Sequence, residues 1–192
     1  MVRATVFRSN WGWVGVAEST EGICAVSLPK ATRRDAERNL RKAAGPVMMG
    51  PPTAGLQQAR EQLMLYLSGR RHTFSLPVDV RHGTIFQQKV WRVLRSLPYA
   101  SLRSYRWVAS RVGGFRYARA VGNAVGANPI PIIIPCHRIV AHDVSLGGFS
   151  GGLAMKRRLL ALEGTLSKLG PGRRPRQPGA DSRSSARKTK SI

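Results

Sequence analysis

The stretch NPIPIIIPCHRIV, residues 128–140, constrains the fold of this 192-residue chain more than any other segment. Pro129, Pro131 and Pro135 interrupt an apolar run that delivers Cys136 and His137 side by side. Proline fixes φ, lacks an N–H and restricts the residue before it, so no regular helix passes through such a segment. The spacing predicts a rigid extended loop with an apolar flank. A thiol in apolar surroundings has a raised pKa and stays inert unless a base or a cation favours the thiolate. His137 and Arg138 are the groups at hand for that task. Neighbours in an extended chain face opposite sides, so His137 is expected to reach the sulfur through a bridging water. A Cys beside a His is more often structural than catalytic, and it is the proline frame that favours chemistry here.

Two further features converge on this loop. GGFSGG, residues 147–152, sets four glycines around Phe149 and Ser150, which lets backbone N–H groups approach a ligand closely. A helix over about 152–163 ends in Leu162-Glu163-Gly164. A carboxylate at a helix C-terminus opposes the macrodipole, so another partner must favour Glu163 there. Orienting His137 and stabilising its cation, as the third member of a Cys–His–carboxylate relay, is one such role. An exposed Glu that tolerates the penalty is the other, and spacing does not choose between them.

Around this core of chemistry the chain divides into two halves. ATVF, WGWVGVA and GICAVSLP, within residues 4–29, read as three strands of an antiparallel meander. Residues 30–50 are rich in Arg and Ala with weak periodicity. A helix follows over 53–68, with Leu56, Ala59, Leu63, Tyr66 and Leu67 on one face and Gly69 at its end. TFSLPVDV is a short extended piece, and a boundary falls near residue 82. In the second half, Thr84 and Gln87 form a capping-box pattern for a helix carrying Phe86, Val90, Val93, Leu94 and Leu97. A short helix over 105–112 stops at Gly113-Gly114. The next, about 115–126, buries Ala118, Val121 and Val125 and sets Arg116, Arg119 and Asn123 on another face. Two short helices joined by a glycine turn, the second with a basic face, meet the requirements of a helix-turn-helix. The expected organisation is a 1–82 N-terminal domain, an 83–164 DNA-binding and catalytic domain, and a disordered basic tail over 165–192.

Charge decides what the helix pair faces. The chain has 32 Lys and Arg against 9 Asp and Glu, a net of +23. Residues 165–192 hold eight of these cations and one acid, which leaves 24 and eight in residues 1–164, a net of +16. The body itself is basic, so nucleic acid is the expected partner. Two cysteines exclude a disulfide scaffold or a Cys-rich zinc module. No apolar run approaches the roughly 20 residues of a membrane span, and the start lacks a signal-peptide core. A soluble, cytoplasmic protein is expected, with no membrane partner.

TIFQQKVWRVL, ARAVGNAVGANPIPIIIPCHRIV and GGFSGGLAMKRRLLALEG, within residues 84–164, strongly resemble the O6-alkylguanine-DNA alkyltransferases. WGWVGVAESTEGICAVSLP resembles the more variable N-terminal domain of that family. The resemblance implies an α+β fold, with a small N-terminal α/β domain built on an antiparallel sheet (ribonuclease H-like). A mostly helical C-terminal domain with a helix-turn-helix (winged-helix-like) completes it. It implies a single-turnover repair protein, a methylated-DNA-[protein]-cysteine S-methyltransferase, that moves an alkyl group from O6 of guanine in double-stranded DNA onto its own cysteine. By position Cys136 is the acceptor, His137 the base acting through water and Glu163 its orienting carboxylate. Asn128 braces the loop, and Tyr105 contacts phosphate and base and gives a proton to the departing guanine. Arg119 enters the duplex in place of the flipped base, and Ala118 and Gly122 let its helix lie close to the backbone, with Arg116 and Asn123 beside it. Pro131, Ile139, Ser150 and Gly151 surround the flipped purine. No cofactor and no metal are implied; Cys24, His72 and His82 are too sparse and ill-spaced for the zinc that some relatives hold in this domain. A monomer is expected, nucleoid-associated if the source is prokaryotic.

Other readings explain less. A damage-sensing DNA binder of this fold replaces the acceptor cysteine, which is present here. A plain helix-turn-helix regulator leaves PCHR and Glu163 without a role. A thiol hydrolase leaves the basic helix without one.

Overall fold

The fold, a computed structural model, describes residues 1–170. The expected meander forms as β1 (Arg3–Ser9), β2 (Gly12–Ser19) and β3 (Gly22–Lys30), paired antiparallel. A two-residue strand, β4 (Met48–Met49), joins parallel to β1 and gives the order β3-β2-β1-β4. A helix that the sequence reading does not contain, α1 (Arg33–Ala44), covers one face of this sheet. Only Ala36 and Leu40 are buried in it, against Ala4, Val6, Ala17, Cys24 and Ala25, which is why its apolar periodicity is faint. Thr32 caps it, accepting a hydrogen bond from Asp35 N at 3.1 Å. The opposite face packs on α2 (Ala54–Leu67), whose five expected core residues are all buried.

The second half begins with α3 (Ile85–Arg95), whose capping box is formed: Gln87 Oε1 accepts from Thr84 N at 2.8 Å and Thr84 Oγ1 from Gln87 N at 3.2 Å. β5 (Arg103–Ser104) leads into α4 (Tyr105–Val112), capped by Ser104. Gly113, at φ 145°, adopts a conformation that a side chain would strain, and turns the chain through a 3-10 turn at Phe115–Tyr117 into α5 (Ala118–Gly126). Val90, Leu94, Val108, Val121 and Val125 hold these three helices together, and Trp91 Nε1 donates to Ala124 O at 2.7 Å. Two corrections concern α5. Ala118 is half-buried rather than buried, and Arg116 lies in the 3-10 turn, off the helix that carries Arg119 and Asn123. β6 (Ile139–Val140) pairs parallel to β5, and α6 (Leu153–Leu162) closes the chain's core.

One apolar core runs through both halves, from Val14 and Leu63 to Val121, Ile139 and Leu159. The outer edge of β3, which would otherwise expose unpaired N–H and C=O groups, is occupied. Ile23 N donates to Pro77 O at 2.9 Å, and Asp79 N donates to Ile23 O at 2.8 Å. Val26 N donates to Pro129 O at 2.9 Å, so the sheet edge grips the proline-framed loop itself. Residues 165–170, assigned by sequence to the tail, are folded: Thr165 is buried and a 3-10 turn follows at Leu166–Lys168. The rest of the expected tail lies outside the described residues. Among the described residues no helix is long and apolar enough to cross a membrane.

Candidate active site

The loop between α5 and β6 is held by Asn128. Its Nδ2 donates to Ile134 O at 2.8 Å and its Oδ1 accepts from Ile130 N at 3.0 Å, so one side chain spans the proline segment. Ile132, at φ 76°, is strained for a β-branched residue and is held by complete burial. The loop is not extended to its end. Pro135, at φ −79° and ψ 65°, centres an inverse γ-turn in which Cys136 N donates to Ile134 O at 2.8 Å. A 3-10 turn over Cys136–Arg138 follows. The fixed φ of proline suits this turn, and the side chains of Cys136, His137 and Arg138 diverge by a third of a revolution each.

Cys136 is 2% exposed and His137 fully buried. His137 Nε2 lies 2.9 Å from Glu163 Oε1, which fixes the proton on Nε2 and leaves Nδ1 as the acceptor. Nδ1 has no protein partner among the described residues. Burial lowers the His137 pKa against the hydrogen bond to Glu163, so the resting imidazole is neutral. At rest the Glu163 charge is matched by Arg138. Arg138 Nη2 donates to Glu163 Oε1 at 2.7 Å and Nε to Oε2 at 3.0 Å, while Nη1 reaches Leu97 O at 2.7 Å. Arg138 thus serves the carboxylate rather than the thiol. Tyr66 Oη donates to Glu163 Oε1 at 2.6 Å, and Ala100 N, at a strained φ of 57°, donates to Oε2 at 3.2 Å. Burial pushes Glu163 up, but the bonds from His137 and Arg138 outweigh it and hold the carboxyl down to about 2.

Burial raises the Cys136 thiol, while the Asn128 amide and the Lys156 charge pull it back. Lys156 is fully buried on α6, and burial lowers its ammonium to about 8 while the Cys136 charge raises it. Its Nζ donates to Ile139 O at 2.5 Å, to Gly148 O at 3.2 Å and to Leu146 O. One cation thereby ties β6 to the glycine loop beside the sulfur. Tyr105, at the start of α4, donates to Gly148 O at 3.2 Å, and burial raises its pKa. Pro131 and Ile139 are buried, and Ser150 and Gly151 lie at the rim. A Cβ on Gly151 would fall 2.3 Å from Leu28 Cδ1 and 2.7 Å from Phe149, so only glycine lets β3 approach the loop this closely. Arg116, Arg119 and Asn123 are exposed, and Gly122 is half-buried with open space where a Cβ would stand.

Sequence reasoning missed Lys156, the pairing of Arg138 with Glu163, and the polar role of Tyr66. For Lys156 a signal existed: Lys156, Leu159, Leu160 and Glu163 follow i, i+3, i+4, i+7, so a lysine occupies the apolar stripe. Tyr66 sits on the apolar stripe of α2, and only the fold shows that its hydroxyl crosses to the other half. Among the described residues no group of three His, Cys, Asp or Glu is placed to hold a metal.

With this geometry established, comparison with known proteins gives a consistent result. Residues 85–165 match the DNA-binding domain of 6-O-methylguanine DNA methyltransferase, and residues 2–80 match its ribonuclease-like domain. The chain is 44% identical over 113 residues to a methylated-DNA--protein-cysteine methyltransferase of Mycobacterium tuberculosis, covering 59% of this chain and 68% of that one. It is likewise 44% identical over 112 residues to the constitutive enzyme of that name from Bacillus subtilis, covering 58% and 67%. The crystal structure of the M. tuberculosis O6-methylguanine methyltransferase superposes with a TM-score of 0.70 at 32% identity, over 90% of this chain and 96% of that one. The M. tuberculosis protein in complex with DNA gives 0.71 at 33%, over 87% and 94%.

Proposed function

The chain belongs to the 6-O-methylguanine DNA methyltransferase family, and from that membership we propose that it repairs double-stranded DNA by moving the alkyl group of O6-alkylguanine onto Cys136, once per molecule. The observation that carries this reading is the buried run from Cys136 through His137 to Glu163, with His137 Nδ1 left as a free acceptor.

A stacked base is out of reach of a buried thiol, so the damaged nucleotide is extruded, at a cost of a few kcal/mol that a weakened pair reduces. Arg119, exposed on α5, fills the gap from the minor groove, and Ala118 and Gly122 permit close approach. The purine lodges among Pro131, Ile139, Ser150 and Gly151. His137 Nδ1 takes the thiol proton through a bridging water, and Glu163 steadies the imidazolium while it exists. The thiolate attacks the alkyl carbon, the S–C bond forms, and the C–O6 bond breaks with its electron pair passing to guanine. Tyr105 protonates the departing base and is reprotonated in turn, so the thiol hydrogen ends on guanine and the alkyl group on sulfur. Nothing regenerates the thiol, so turnover stops at one.

The protein works as a cytoplasmic monomer on chromosomal DNA. Cys136→Ala is expected to keep duplex affinity within about threefold while abolishing transfer, as measured by fluorescence anisotropy alongside a transfer assay. Loss of binding together with transfer would make Cys136 structural and overturn the reading.

A further inference from the structure

We propose that the N-terminal half holds a DNA phosphate beside the extruded nucleotide, in a groove lined by Lys30, Asn39 and Lys42. This rests on the reading that the chain acts on duplex DNA and adds a contact outside the helix-turn-helix.

A groove of about 370 Å³ separates the end of β3 and the α1 helix from the active-site loop. Lys30, Asn39 and Lys42 form one wall, and Pro131, Ser150 and Gly151 belong to the facing one. The facing residues are those that enclose the purine in the proposed reaction, so the groove opens where the sugar and phosphate of a flipped nucleotide must pass. No Asp or Glu lines it.

The three polar side chains on the near wall are unspent. Among the described residues, Lys30, Asn39 and Lys42 make no side-chain hydrogen bond or ion pair. Of the remaining charges of α1, Arg34 is exposed and does not line the groove, and the others are engaged elsewhere. Arg33 pairs with Glu37, Arg38 with Asp35, and Arg41 donates to Val47 O. The helix thus consumes both of its acids away from the groove and leaves Asn39 and Lys42, three residues apart on one face, turned toward it. Lys30 reaches the same space from the end of β3.

Two ammonium groups and an amide suit a phosphate, which takes lysine as a point charge and an amide as a donor. The carboxyl end of α5, at Gly126 and Ala127, contributes to the same groove. The negative end of its dipole, about half a charge, opposes an anion there and is outweighed by the two ammonium charges.

The test measures duplex affinity against salt for the full chain and for Lys30→Gln, Lys42→Gln and Arg70→Gln. Arg70 is exposed just past α2, which packs on the sheet face opposite α1, and so controls for general loss of charge. A duplex carrying one O6-methylguanine is the probe, with Cys136→Ala as the background of every protein in the binding series, so affinity is read apart from chemistry; transfer from free O6-methylguanine and free O6-carboxymethylguanine bases is followed separately in proteins that keep Cys136. Each lysine variant is expected to weaken binding about fivefold near 0.1 M salt and to reduce the log–log salt slope by about 0.9, the value for one phosphate. Arg70→Gln should change affinity by less than about twofold. Equal losses in all three variants, or unchanged slopes for the lysine variants, would overturn the proposal. A selective loss of carboxymethyl transfer with duplex affinity intact would also overturn it, assigning the groove to the substituent on O6 instead. Absence of transfer in the unaltered protein would refute the proposed function yet leave the binding comparison readable.

Discussion

Glu163 is bound by four partners, which make three different demands on it. His137 needs an orienting acceptor, Arg138 needs a counter-charge, and Tyr66 and Ala100 N need acceptors for their protons. Removing one member of a buried ion pair leaves the other uncompensated, at about 3–5 kcal/mol. Glu163→Gln should therefore lower unfolding free energy by about that amount in urea titrations and also slow transfer, and pairing it with Arg138→Met should recover most of the stability but not the rate. Stability of the double variant no better than that of Glu163→Gln would contradict the pairing. The sign of the pH dependence follows from the lowered carboxyl. With a folded pKa of about 2 against an ordinary 4.5, Glu163 contributes fully above pH 4.5, and its contribution is lost as pH falls toward 2. At Lys156 the prediction concerns the sulfur. Lys156→Gln removes the cation that favours the thiolate, so the pH midpoint for iodoacetamide modification of Cys136 should move up and transfer should slow. An unmoved midpoint would confine Lys156 to holding the glycine loop.

Among the elements, α5 carries the test of extrusion. Arg119→Ala should reduce transfer from duplex about tenfold or more while changing transfer from the free alkylated base less than about twofold, since only the duplex needs a replacement for the displaced base. Equal losses on both substrates would contradict the inserted-arginine role. The elements also show what sequence can carry. α2 and α3 were legible because strong apolar periodicity coincides with their caps, Thr53 for α2 and the Thr84–Gln87 box for α3. α1 was not, because a helix lying on alanine-rich strands needs little apolar surface of its own: Ala36 and Leu40 suffice. The proline loop was legible as rigid and irregular, but its inverse γ-turn and 3-10 ending depend on Asn128 and the β3 edge closing around it. Cys136, His137, Glu163 and Asn128 could be named from one stretch and one helix end. The partners of Arg138, Tyr66 and Lys156 could not be read there, because their polar ends meet Glu163 and the glycine loop only after distant segments pack; the lysine on the apolar stripe of α6 was the one visible sign.

At the scale of the whole molecule the two halves do not act separately. They share one apolar core, Tyr66 from the first half bonds the carboxylate of the second, and Val26 of β3 holds Pro129 of the reactive loop. The N-terminal half is thus part of the active site's frame, although its sequence showed only a meander and one helix. Its charge has a matching role. Residues 1–164 carry a net of +16, so attraction to DNA does not depend on the basic tail. The central claim, that one buried cysteine accepts an alkyl group from guanine in DNA, is tested most directly by intact mass. The protein is weighed before and after mixing with a duplex carrying one O6-methylguanine, and peptide mapping then locates the change. The account predicts a single added methyl group on Cys136 at one equivalent, with no further reaction. An unchanged mass despite tight binding to the lesion, or a methyl group on any other residue, would contradict it.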